Sequence, residues 1–304
     1  MSAPPRVVFG LPAYGRPDVL ARTLESLLGQ TFTGVAVVIV DDKPSPEVGA
    51  VVERYASRDA RLGYEANPAR LGMIGNWRRA FAAARARYPE AEYFAWASDH
   101  DVWHPRWAEV LVEALDRAPQ AVLAYPRSIR MHAHDRRRVD GRFDTVDLAG
   151  AGARLRAVIH GVTAGNAIYG LFRAAALERA GVFAPVLMPD RHILLALSLL
   201  GGFRQVDEYL WYREVSPAFS QHRQRPTLFA GAAPLHSYLP RDLQHAAMLF
   251  GRFAVAGAGG PRVGRLAGFG HTARFLAASA RRWVMPSPRT RRQRRTVAVA
   301  AEQA

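Results

Sequence analysis

Two stretches decide the fold of this chain: VVFGLPAYGR at residues 7–16 and VAVVIVDDKP at residues 35–44. The second opens with six apolar residues, five of them β-branched, without a polar break. That is how a strand covered on both faces of a parallel sheet reads. It runs directly into Asp41 and Asp42. The first is a shorter apolar run over residues 7–11, with Pro12 as its expected end. Between them, residues 17–30 set Leu20, Leu24, Leu27 and Leu28 on one helical face, with Gly29 near the helix end.

Working outward, the pattern predicts a helix over residues 47–57, a strand over 62–65, a helix over 73–88, a strand over 93–97, a helix over 105–117 and a strand over 121–125. Such alternation implies an α/β fold, a doubly wound mixed sheet flanked by helices, with ligands at the carboxyl ends of the strands. After Arg127 the alternation weakens. Residues 130–147 are polar and suggest a hairpin or long loop. Residues 174–180 and 193–200 look helical, and 203–206 and 209–213 look like two strands. From residue 228 the pattern is helical with Gly-rich joints, ending in PSPRTRRQRR, whose composition predicts disorder. Three parts are expected: residues 1–125, 126–227, and a helical basic C-terminal extension over 228–304. There is no internal repeat.

The chain has 304 residues and no cysteine, which excludes a disulfide framework and thiol chemistry and fits a reducing, cytoplasmic setting. The N-terminus lacks a basic segment followed by an apolar one, so no secretory signal is expected. No window reaches the ~18 unbroken apolar residues of a membrane span. The formal charge of +15 is concentrated late: residues 241–304 hold 12 Arg against Asp242 and Glu302. Nearly all the basic residues are Arg, since Lys43 is the only lysine.

Three strand ends carry polar groups that share one sheet edge: Pro12 to Arg16, then Asp41 and Asp42, then Ser98, Asp99, His100 and Asp101. Two carboxylates at i and i+2 after a strand suit a hard divalent cation, Mn2+ or Mg2+, with positions left open for phosphates. A metal-bridged diphosphate is a stabilised leaving group. Each piece also has a plainer role, since aspartates after strands often cap helices.

The strings GLPAYGRPDVLARTLESLLGQT, VVIVDD, NPARLGMIGNW and WASDHDVWHPRW, in this order and spacing, resemble glycosyltransferase family 2, a large group with the GT-A fold that uses nucleotide sugars. The resemblance is good over about the first 125 residues, moderate to about residue 213 and slight beyond. It implies an inverting, metal-dependent glycosyltransferase, UDP being the default nucleotide, with a glycan, lipid-linked or small-molecule acceptor and a role in building cell-envelope glycans. It also implies roles for particular residues. Pro12, Ala13 and Tyr14 would lie beside the nucleotide base, Arg16 nearby, and Asp41 would bond base or ribose. Asn67, Arg70, Gly72 and Asn76 would close over base and diphosphate. Asp99 would meet the ribose or the metal's water shell, His100 would supply a backbone contact, and Asp101 would bind the metal. Where the family commonly has a Gly-Ser turn after its paired aspartates, this chain has Lys43 and Pro44, which leaves Asp42 without an assigned role.

The same resemblance places the base that activates the acceptor at Asp190, in GVFAPVLMPDRHILLALSLLGG, with Pro189 where an acidic residue is usual. The plainer role for Asp190 is to cap the helix that follows. Some family members add a downstream histidine as a metal ligand, and His222 stands in that region. MHAHDRRR at 131–138 pairs His132 and His134 with Asp135, but the flanking arginines disfavour a cation, and an exposed hairpin is the better expectation. Residues 161–173, GVTAGNAIYGLFR, either shape the acceptor pocket or pack a loop on the sheet.

In the C-terminal part Phe269, Leu276 and Trp283 recur every seven residues among Arg274, Arg281 and Arg282. A helix of this kind either packs on the catalytic domain or lies on an anionic membrane surface as a peripheral contact. Competing functions are a catalytically inactive nucleotide-sugar binder, or a polyanion or nucleic-acid binder driven by the arginine tail. No nucleic-acid module supports the latter. A nucleotidyltransferase would need a Gly-rich loop with a following lysine after the first strand, where Pro12 to Arg16 stand instead.

Overall fold

The computed structural model describes residues 4–132, 135–139, 141–162, 164–214 and 224–284. His222, His134 and the arginine-rich residues 285–304 therefore lie outside the described residues.

The first half follows the expected alternation: β1 (Val7–Ala13), α1 (Pro17–Leu28), β2 (Val35–Asp41), α2 (Pro46–Ala56), β3 (Leu62–Ala66), α3 (Gly72–Arg87), β4 (Tyr93–Trp96), β5 (Val102–Trp103) and α4 (Trp107–Asp116). The second half holds β6 (Ala121–His132), β7 (Asp135–Val139), α5 (Ala151–Gly161), α6 (Ala164–Ala167), β8 (Leu171–Arg173), α7 (Ala174–Ala180), α8 (Pro189–Leu200) and β9 (Gly202–Glu214). Then follow α9 (Gln224–Leu228), α10 (Arg241–Leu249), a π-helical segment Phe250–Val255 and α11 (Arg265–Val284).

All nine strands join one mixed sheet of order β3-β2-β1-β4-β8-β6-β9-β5, with β7 paired to β6. The strands β1 to β4 pair in parallel, β8 is antiparallel to both its neighbours, and β6 returns to parallel pairing with β9. The boundary drawn after residue 125 falls inside β6, so the first two parts share one sheet. Apolar layers cover both faces. On one, Trp77, Trp96 and Phe183 interlock with ring centroids 4.8–5.6 Å apart. On the other, Phe9 packs on Trp107 at 5.2 Å.

Two expectations are corrected. Pro12 does not end β1. The strand runs on to Ala13 because Pro12 lacks its N–H on the side facing β4, and pairing with β4 stops at Gly10↔Trp96, so no ladder bond is lost. The two strands expected over residues 203–213 are one, β9, whose register shifts against β6 absorb the polar Asp207 and Glu208. The polar stretch from Arg130 opens as the hairpin expected of it: β6 continues to His132 and turns back into the exposed β7, with His132 opposite Asp135.

Candidate active site

The carboxyl ends of β1, β2 and β4 meet the start of α3 at a cleft that encloses about 200 Å³. Of the residues singled out in the sequence, Pro12, Tyr14, Arg70, Gly72, Asn76, Asp99 and His100 line it, and Asp42, Trp77, Tyr169 and Thr227 join them. Ala13, Arg16, Asn67, Asp41, Asp101 and Asp190 do not line it.

The wall is built around Asp42. Its carboxylate accepts from the Leu71 N–H at 2.6 Å, the Gly72 N–H at 2.9 Å and the Asn67 amide at 2.9 Å. This one buried side chain ties the end of β2 to the first turn of α3, where backbone N–H groups have no partner within the helix. Asn67 also donates to Asn76 Oδ1 at 3.0 Å, and Asn76 donates to the carbonyls of Ala13 and Val40. Asn67 and Asn76 thus hold β1, β2 and α3 together. Gly72 has φ +72°, and a Cβ there would come 2.7 Å from the Ala230 backbone nitrogen, so only glycine lets the segment after α9 close over this turn.

Asp41 is fully buried. It accepts from its own turn at Lys43 N (2.9 Å) and from the Tyr64 hydroxyl (3.2 Å), and burial holds its pKa above the ordinary carboxylate value. Tyr14, half exposed, lies between two cations, with Arg70 5.6 Å and Lys43 5.8 Å from its ring centroid. Arg70 also donates to the Pro226 carbonyl at 2.9 Å, bridging the cleft rim to α9. Lys43, in place of the Gly-Ser turn, therefore supplies a cation at the rim.

Asp99 accepts from the Tyr14 N–H at 2.9 Å and bonds the His100 ring at 2.8 Å. Burial lowers the His100 pKa, but the Asp99 bond with the charges of Asp101 and Asp99 outweighs it, and the net direction is up. Asp101 sits behind, 1 % exposed, accepting from the Glu214 N–H at 2.8 Å and the Trp211 indole at 3.1 Å. Burial raises its pKa. Glu214 receives Arg16 at 2.9 Å and Arg22 at 3.1 Å. Burial raises the Glu214 pKa, yet the Arg16 bond prevails and the net direction is down.

Asp190 occupies the first turn of α8, half-buried, with its carboxylate bonded to the N–H groups of Asp190 and Arg191. The N-cap position itself is Met188, and no side chain caps it. Burial also raises the Asp190 pKa, and Arg213 and the half-buried Tyr169 are close enough to interact with it electrostatically. The preceding Met188 has φ 52°, a left-handed conformation costly for a residue with a side chain. The C-terminal part holds this loop. Leu187 donates to Gln244 Oε1 at 3.0 Å and accepts from His245 Nε2 at 2.7 Å, and His236 bonds the Pro185 carbonyl at 2.7 Å.

Among the described residues, no group of three or more acidic or histidine side chains converges in a metal-binding arrangement. Asp99 borders the cleft, while Asp101 lies behind it with one oxygen bonded to the Glu214 N–H and the other to the Trp211 indole. In donor chemistry two carboxylates suit Mg2+ or Mn2+, which keep several positions for water and phosphate oxygens.

Residues 9–174, more than half of the chain, match the sequence profile of Glycosyl transferase family 2. The chain belongs to that family. Protein CgeD of Bacillus subtilis (strain 168) is 26% identical to this family 2 chain over 129 residues, which span 41% of the chain and 30% of CgeD. The chain thus matches less than a third of that relative's length. The S. aureus TarS structure, residues 1–349 in complex with UDP-GlcNAc, superposes with a TM-score of 0.62 at 14% identity, over 93% of this chain and 76% of that one. TarS 1–349 in complex with UDP gives 0.61 at 14% identity, over 92% and 72%. The likeness establishes the GT-A fold of this family 2 chain.

Tyr169 and the clamp role of Asp42 were not evident from sequence. Tyr169 lies in the loop after α6, within the stretch 161–173 that was open between pocket and packing, and it lines the cleft while its ring packs on Trp211 at 4.8 Å.

Proposed function

We propose that this protein transfers a sugar, with inversion, from a nucleotide diphosphate donor to a hydroxyl acceptor. The observation that carries this is the cleft at the ends of β1 and β4, where Tyr14, Arg70 and Asp99 converge. Pro12 and Tyr14 offer flat apolar surface to a base. Arg70 presents a guanidinium fork to the diphosphate. Asp41 acts on base or ribose from beneath the cleft floor, through the turn it shapes. UDP is the nucleotide of choice because the structurally similar TarS was captured with UDP and UDP-GlcNAc.

Asp99 and Asp101 would hold Mn2+ or Mg2+, with His222 as a further ligand candidate. The metal would neutralise charge on the departing diphosphate. Asp190 takes the proton of the acceptor hydroxyl. Its raised pKa makes it a stronger base than an exposed aspartate. Tyr169, between the cleft and Asp190, marks where donor and acceptor meet.

The test is thermal stabilisation by nucleotide diphosphates with and without Mn2+, followed by donor turnover. UDP with Mn2+ should raise Tm. Asp190→Asn should keep that rise and lose transfer by about a thousandfold or more, the scale of a lost general base. In the wild type the rate should fall as pH drops through a pKa above the ordinary aspartate value. Loss of nucleotide binding in the Asn variant would assign Asp190 a purely structural role.

The C-terminal part supports peripheral contact with an anionic membrane. Leu235, Leu243, Phe250, Leu266 and Phe269 are exposed, and the Phe250 and Phe269 rings meet at 6.2 Å, joining the π-helical segment that follows α10 to α11. Residues 228–284 carry seven Arg against Asp242, a charge that suits anionic lipid. No described helix is long and apolar enough to cross a membrane. Phe275 is buried, so α11 also packs on the domain.

A further inference from the structure

Strand register sets one residue each of β9, β6 and β7 in a single cross-strand row: Arg213 pairs with Arg130, and Arg130 with Arg137. Directly paired residues project from the same face of a sheet. On the other side of β9, the pairing Val102↔Tyr212 brings Asp101 opposite Arg213. The row therefore starts at the carboxylate that closes the DxD segment and runs outward, past Arg213 and Arg130, to Arg137 on β7. With strands about 4.8 Å apart, the three arginines span roughly 10 Å.

The row faces the candidate site. Arg213 lies over the Trp211 ring, 5.6 Å from its centroid, and Trp211 bonds Asp101 and packs on Tyr169. Arg213 acts electrostatically on both Asp101 and Asp190. On the opposite face the arginines are used within the fold: Arg127 and Arg138 flank Tyr209 at 5.7 and 5.1 Å, and Arg127 pairs with Asp207 at 2.8 Å. On the site face, Arg130 is exposed, and Arg137 pairs with Asp135 at 2.6 Å while its side chain stays 74% exposed. Over residues 127–142 six Arg stand against Asp135 and Asp140.

Like charges directly opposite each other destabilise a sheet unless something compensates them. A carboxylate stands at each end of the row, Asp101 beside Arg213 and Asp135 paired with Arg137. None of the three arginines lines the donor cleft. We propose that the row Arg213–Arg130–Arg137 seats a phosphate group of the acceptor, so that the acceptor is a phosphorylated or phosphodiester-linked hydroxyl compound. Guanidinium forks match phosphate oxygens two at a time, and three in line hold the group while its hydroxyl reaches Asp190. The proposal rests on the transferase function given above.

The experiment titrates glycerol 3-phosphate into the full-length protein by calorimetry, with and without saturating UDP and Mn2+. Saturable binding to the wild type is expected, weakened about tenfold or more in the double variant Arg130→Ala/Arg137→Ala, the scale of lost charge-assisted hydrogen bonds. UDP affinity should be unchanged in that variant. A tail variant, Arg291→Ala/Arg292→Ala, should bind glycerol 3-phosphate like the wild type. No binding to the wild type, equal weakening in both double variants, or displacement of glycerol 3-phosphate by UDP would overturn the proposal. Glucuronate binding to the row in preference to glycerol 3-phosphate would overturn the phosphate assignment. Failure of UDP itself to bind would instead count against the donor assignment, while the titration without UDP still reports on the row.

Discussion

Asp42 shows how much one side chain decides here. Three donors converge on its carboxylate, two of them backbone N–H groups at the start of α3. Asp42→Ala takes the acceptor from the Leu71 and Gly72 N–H groups and leaves Asn67 only its bond to Asn76, and should cost about 2–3 kcal/mol in urea unfolding. Nucleotide affinity should fall as well, because Arg70 and Gly72 sit on the turn that Asp42 holds. Asp42→Asn, which keeps an acceptor, should lose less in both measurements. The family motifs marked this aspartate without explaining it. Sequence shows that two carboxylates follow a strand, but not which one turns inward to helix N–H groups and which toward Tyr64. The residues that line the cleft close to their own strand ends, Pro12, Tyr14 and Asp99, were legible because a strand end fixes where its next residues go. Tyr169 was not, since its place depends on a loop crossing from β8.

At the scale of elements, α8 and α10 meet through two buried histidines, His192 and His245, with ring centroids 5.5 Å apart. Burial pushes the His192 pKa down to about 3 and the His245 pKa down to about 4. Both are neutral in the folded state at pH 5, whereas the unfolded chain protonates them near pH 6.5. The unfolded state then binds more protons, so stability falls as pH drops from about 6.5 toward 4 and levels off below 3. His192 alone contributes about 1.4 kcal/mol per pH unit across that window. His192→Leu removes a ring whose nitrogens have no partner among the described residues. It should flatten the dependence, read as a smaller shift in urea midpoint between pH 7 and pH 5 than in the wild type. The sequence marks neither contact, because α10 lies where the family resemblance ends. It also missed α5, whose Ala151, Gly152 and Ala153 give no strong apolar stripe. The arginine row was invisible for another reason: its members are spread from residue 130 to 213, and only strand register aligns them.

For the whole molecule, the exposed ridge of α10 and α11 and the surplus of arginine lead to a measurable expectation. The protein should co-sediment with vesicles containing phosphatidylglycerol and not with neutral phosphatidylcholine vesicles, and added salt should weaken the binding. Leu266→Glu/Phe269→Glu should reduce it severalfold while leaving UDP stabilisation intact. Equal binding of this variant would place the contact elsewhere. The α/β half of this architecture was readable from residues 7–125 because each strand and helix there buries its own regular pattern. The C-terminal part was readable only as helical, since what it packs against is set far away in the chain.

The double hold on Leu187 has a consequence for building chimaeras. Its N–H and its carbonyl are both bonded by α10, and His236 bonds Pro185 two residues earlier. The loop before Asp190 and residues 236–245 form one interlocking part, though some fifty residues separate them. A hybrid that exchanges the acceptor side of this protein with that of a relative must carry both segments from the same parent. If it takes only one, the loop loses its backbone partners, and Asp190 loses the fixed place that the loop gives it.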